Sequence, residues 1–243
     1  MELVTHLRMI YGVAYLSSRF IIRQPAWLIQ SVLSYIGFAI LLYMWGGIEG
    51  LKNLIVAMIV GGLWSTGVNI VAQSVGWDRV SKIHDMFVVS PARPIHYILG
   101  YFLSAMVFPL SVLATMLPLV YVLNAWNIAI ASLAMGIVTL LVGIEVGLYI
   151  VLRVDKPMNV SAITNPISWL LTILPPVYYP LALIPQKFRL LALIAPTASA
   201  AELARQLSGI EVAVPTLAPV LVLTAWVTLG TYLLLKTMRW GLE

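Results

Sequence analysis

Apolar residues run through most of this chain in stretches of about 20, separated by short polar breaks. That length carries a helix across roughly 30 Å of hydrocarbon. Period-2 alternation is missing, which excludes a membrane barrel. A bilayer offers backbone groups no solvent partner, so each run must close its own hydrogen bonds as a helix. The pattern predicts six spans, at 26–46, 53–75, 95–122, 128–152, 161–179 and 216–235. An all-α polytopic membrane protein follows, as one membrane domain over 1–243 with a short tail at 236–243. Trp27, Trp45, Trp77, Trp126 and Trp240 fall near span ends, where amphipathic rings prefer to sit.

Three segments break the pattern. Residues 1–25 carry three arginines, and at 100° per residue Thr5, Arg8, Gly12, Arg19 and Arg23 form one stripe. Leu3, Leu7, Ile10, Ala14 and Ile21 oppose it, so an interfacial helix is expected, with its apolar face in the acyl boundary and its arginines at headgroups. Pro25 turns the chain into the first span. Residues 180–215 are too apolar for a solvated loop and are punctuated by Pro180, Pro185 and Pro196, which predicts short re-entrant helices before the last span. The third segment, 76–94, interrupts the apolar pattern with charge.

Composition sharpens this picture. The chain is 61% hydrophobic and 9% charged, which no soluble domain of 243 residues sustains on a wetted surface. The net charge of +5 fits the positive-inside bias rather than nucleic-acid binding. With both termini cytoplasmic, Arg8, Arg19, Arg23, Arg79, Lys82, Arg93, Arg153, Lys156, Lys236 and Arg239 lie inside, and only Lys52, Lys187, Arg189 and Arg205 outside. A multi-pass protein of the plasma or inner membrane is expected, and the first 25 residues show no removable signal peptide. Without cysteine there is no disulfide framework and no thiol chemistry. His6, His84 and His96 lack ligand spacing, so no metal is expected.

Five charged side chains lie between Asp78 and Pro94: Asp78, Arg79, Lys82, Asp85 and Arg93. Asp78 is placed to cap a short helix. Val80, Ile83 and Phe87 recur as one apolar edge, and Lys82 and Asp85, three apart, are spaced to pair. Ser90-Pro91 stops the helix and Pro94 redirects the chain. Such an amphipathic rod on the cytoplasmic side suits a partner's groove; the alternative is a solvated loop whose charges serve topology.

Asp78-Arg79 followed by Asp85, Phe87 and Ser90-Pro91, then Leu99-Gly100, resembles the loop between the second and third spans in permeases of type-2 ABC exporters. Tyr179-Pro180, Leu183-Ile184-Pro185 and Leu191-Ala192-Leu193-Ile194-Ala195-Pro196 resemble that family's external re-entrant segment. The chain departs from the family pattern at Val80, where a second acid is common, and at Lys82, where glycine is. The resemblance implies a transport subunit, not an enzyme, paired with a second permease copy or homologue and bound beneath by two separate ABC ATPase subunits. ATP and Mg would belong to those subunits, and Asp78, Arg79, Lys82, Ile83, Asp85, Phe87 and Pro91 would couple to them. No Gly-x-x-x-x-Gly-Lys-Ser/Thr sequence occurs, which fits a separate motor.

Within the spans, Glu145 is a lone acid about 12 Å from the cytoplasmic end. Gly136, Gly143 and Gly147 form a close-packing face, and Glu145 points away from Gly143 and Gly147. It is either a transport or proton site or a neutral carboxyl bonded to another span. Asn69 and Gln73, in the most polar stretch of the second span, are the other candidates for a transport path; interhelical hydrogen bonding is the plainer role. The scarcity of charge suits a lipid-like, amphipathic or polyprenyl-linked cargo. A self-contained secondary carrier would show ionisable residues in several spans, and a membrane enzyme would show converging catalytic groups.

Overall fold

The computed structural model describes residues 2–22, 25–210 and 212–237, and all regular structure among them is helical. Helix α1 (Glu2–Ile22) is followed by α2 (Pro25–Ser65), a π-helical turn (Thr66–Val71), α3 (Ala72–Val80) and α4 (Ile83–Val89). Then come α5 (Pro94–Ala105), α6 (Val107–Val122), α7 (Trp126–Val151) and α8 (Val160–Ile173). Next come α9 (Gln186–Ala192) and α10 (Pro196–Leu207), and α11 (Leu217–Thr237) completes the order. Three stretches are long and apolar enough to cross a membrane: Tyr35–Val80, Trp126–Val151 and Leu217–Lys236.

The first of these stretches is not straight. Gly47, at φ 55° and ψ −137°, breaks α2 into two arms. The backbone of Gly50 lies against the carbonyl of Leu42, eight residues earlier, where a continuous helix would separate them by about 12 Å. Tyr35 Oη also lies beside Gly62, so the arms run back along each other. A side chain at Gly47 would strain this reversal, since L-residues rarely adopt that φ. The loop expected between residues 46 and 53 is therefore replaced by a single-residue turn, beside which Lys52 pairs with Glu49 at 2.6 Å.

Two other expected spans are divided or shortened. Residues 95–122 form α5 and α6, meeting at Met106. Pro109, in the first turn of α6, has no N–H for the carbonyl of Ala105, which explains the break. Helix α8 stops at Ile173 because Pro175 and Pro176 cannot continue it.

The core forms where small residues let backbones meet. From Leu54 to Val60 every side chain of the second α2 arm is buried, as befits a helix surrounded on all sides. Helix α7 lies against this arm and the π-helical turn along its glycine face. A Cβ on Gly67 would fall 2.6 Å from Ile144 N, and one on Gly143 would fall 2.7 Å from the Trp64 carbonyl oxygen. Helix α11 covers the other side of α7 and leaves Leu221, Leu229 and Tyr232 outward.

Candidate functional site

The polar segment folds differently from the single capped rod its periodicity suggests. Asp78 lies in the last turn of α3, and the helix breaks at Ser81 and Lys82, the latter left-handed at φ 58°. Asp78 caps nothing; its carboxylate accepts the Tyr101 hydroxyl of α5. Because Lys82 sits outside α4, its three-residue spacing to Asp85 is not helical, and the two form no ion pair. Ser90 ends α4 as expected: its Oγ donates to the Phe87 carbonyl at 2.7 Å and accepts Ala92 N–H at 3.2 Å.

Helix α4 has two distinct faces. Outward stand Ile83, Met86 and Val89 at i, i+3 and i+6, with exposures of 37%, 68% and 70%. Trp77, Val80, Lys82 and Pro91 are exposed beside them, and Asp85 is half-buried. Phe87, expected on the outer edge with Val80 and Ile83, turns inward instead. Its ring meets Tyr97 edge-on at 5.5 Å, and buried His84 meets the same ring at 5.4 Å. Tyr97 in turn packs on Tyr101 at 4.9 Å. The outer ridge thus rests on an aromatic stack rooted in α5.

Arg79 ties the segment to a second element. Its guanidinium donates to the carbonyls of Val151 at 2.6 Å and Val154 at 3.1 Å. These oxygens lie at the C-terminal end of α7, where carbonyls lack helical partners and a cation is electrostatically favoured. Gly76 packs against the Pro157 carbonyl and Val160, at the start of α8. The acid–arginine pair therefore points into the protein, one partner to α5 and the other to α7. On α1, Arg8 is exposed, while the Arg19 side chain and Arg23 lie outside the described residues.

The residues read as a possible transport path do not converge. Glu145 is buried on the face of α7 toward α11, where its Oε1 accepts the Thr231 hydroxyl at 2.5 Å. Its other oxygen has no hydrogen-bond partner and lies against Gly230, which has no room for a Cβ. The glycine face of α7 meets the π-helical turn instead, so Glu145 and that turn occupy different sides of one helix. Asn69, buried in the turn, donates to Ser65 Oγ at 3.2 Å, and Gln73 is half-buried in α3.

A polar cluster escaped the sequence reading, which counted Arg205 only as an external charge. Arg205 is 1% exposed on α10 and donates to Asn53 Oδ1 at 2.8 Å and the carbonyls of Pro176 at 2.9 Å and Val177 at 2.6 Å. Burial pulls its guanidinium down to about 10, opposed by neighbouring Glu202, so it stays charged at neutral pH. Buried Glu202 accepts Gln206 Nε2 at 3.1 Å and Ala213 N–H at 3.2 Å. The available signal was Glu202 and Arg205 three apart within an alanine-rich helix.

Among the described residues, no group of three or more His, Asp or Glu gathers as a metal site requires. Compared with known proteins, the chain matches no family model and no curated sequence.

Proposed function

We propose that this chain is the membrane-embedded subunit of an ATP-driven exporter of the type-2 ABC class. It crosses the membrane six times with both termini in the cytoplasm and pairs with a second permease. In this reading α4 is the docking helix for a separate ATPase. The observation that carries it is the two-sided construction of α4: an apolar ridge at Ile83, Met86 and Val89 faces outward, while the opposite face is fastened to the body. An amphipathic helix with such a ridge suits a hydrophobic groove. The adjoining Arg79 and Asp78 bonds would pass its displacement to α7 and α5 without slack. The cargo would be lipid-like or amphipathic, since the long apolar helices bring little charge to the bilayer.

Met86→Asp tests this directly, because Met86 is 68% exposed and its replacement leaves the aromatic stack intact. Removing a buried anchor from such an interface costs about 2 kcal/mol, so affinity for the co-purifying ATPase should fall about 30-fold with no change in the permease's melting temperature. Failure of the chain to co-purify with any nucleotide-hydrolysing protein from its native membrane would sink the proposal.

A further inference from the structure

Two imidazoles meet where α1 lies on α5. His6 Nδ1 and His96 Nε2 are 2.8 Å apart, and the rings are tilted by 31°. His96 is buried, and its Nδ1 accepts the Arg93 backbone N–H at 2.9 Å in the first turn of α5. One protonation pattern satisfies both bonds. An acceptor nitrogen must be bare, so neutral His96 carries its proton on Nε2 and donates it to the bare Nδ1 of His6. A further proton on His6 sets two N–H groups against each other. If His96 then moves its own proton to Nδ1, that proton opposes the Arg93 N–H instead. A second added proton places two cations in contact.

Among the described side chains, nothing nearby offsets that cost; the side chain of Glu2, one helical turn before His6, lies outside them. Arg93, the N-cap residue of α5, adds a positive charge to that turn. His84 of α4 and Asp78 of α3 lie beyond Tyr97 and Tyr101, and Arg79 is committed to the end of α7. On α1, Arg8 faces outward. The π-helical turn beside α5 has no titratable side chain, and Glu145 of α7 is turned to Thr231. Among the described residues no carboxylate hydrogen-bonds either imidazole. Farther along, the α1–α5 contact holds a side-chain hydrogen bond between Ser17 and Tyr101, with Val13 filling the space a Cβ of Gly100 would need.

We propose that His6 and His96 form a proton-operated latch. With both rings neutral it fastens α1 to α5, and uptake of a proton as pH falls breaks the hydrogen bond and releases α1. The absence of native cysteine makes this measurable in the full chain in lipid nanodiscs. Buried Val13→Cys reports α1 docking, and exposed Val4→Cys supplies the reference rate at each pH. The Val13/Val4 labelling ratio should rise about tenfold from pH 7.5 to 5.5, the factor expected for losing one hydrogen bond. It should stay flat in a His6→Gln/His96→Gln background, since glutamine at the third helical position can still accept the Arg93 N–H. A flat ratio in the parent, or an equal rise in the double variant, overturns the latch. Nitrogen-15 spectra of the three histidines give an independent check that needs no variant. They should show His96 as the Nε2–H tautomer at pH 7.5, with His6 and His96 titrating as a coupled pair; an Nδ1–H tautomer or independent titrations refute the proposal.

Discussion

Arg205 uses three N–H groups on Asn53 and on the carbonyls of Pro176 and Val177, joining α10 to the second arm of α2 and to the chain beyond α8. Arg205→Ala would leave those acceptors dry inside the protein, at a cost of about 3–5 kcal/mol. A marked fall in apparent melting temperature in detergent is expected. Arg153→Ala is the matched control, because that guanidinium lies over the exposed Tyr149 ring and its loss should stay within about 0.5 kcal/mol. An equal effect from the two variants would show that the Arg205 bonds add nothing. The Glu202/Arg205 spacing in an alanine-rich run is compatible with a buried arginine or a topological one; the distinction comes from α10 being enclosed.

Packing of whole elements turns on where glycine meets backbone. At Gly67 a Cβ would strike Ile144 N and the Leu140 carbonyl oxygen, both at 2.6 Å, and backbone atoms cannot swing aside. Gly67→Ala should force the π-helical turn off α7 and cost about 1–3 kcal/mol. Gly12→Ala on α1 meets nothing within 4 Å and should be neutral or stabilising by up to about 1 kcal/mol. Thermal unfolding of both variants checks the opposite signs; a stable Gly67→Ala protein would mean that the contact between the π-helical turn and α7 is not close-packed. The Gly143/Gly147 spacing was legible in the sequence as a packing face, and Glu145 as pointing away from it. Which helix met each face was not legible, because helical period gives direction around one axis and says nothing of neighbours.

For the whole molecule, the proposed orientation rests on the distribution of arginine and lysine, ten of which fall on the proposed cytoplasmic side. In sealed right-side-out vesicles, Ser81→Cys should resist a membrane-impermeant thiol reagent, and Leu183→Cys, 72% exposed in the outer segment, should react. The reverse pattern would invert the topology and remove α4 from any cytoplasmic partner. The helical class and the short helices before α11 were readable from apolar run lengths and proline positions, and the helix at α1 from its stripe of arginines. The single-glycine reversal at Gly47 and the division at Met106 were not, since hydropathy averages over the residues that break a helix.

Composition and period alone determined that this chain is helical, apolar on the scale of a bilayer and interrupted by one charged segment. Those properties depend on each residue's own transfer free energy and on local geometry. Tertiary structure alone decided that Phe87 supports α4 from within, that Asp78 and Arg79 bind the body, and that His6 meets His96 across 90 positions of sequence. Such pairings depend on helix rotation and depth, which are set by packing between distant elements. The charged interruption was visible from the start; its division into an outward apolar ridge and an inward polar anchor required the fold.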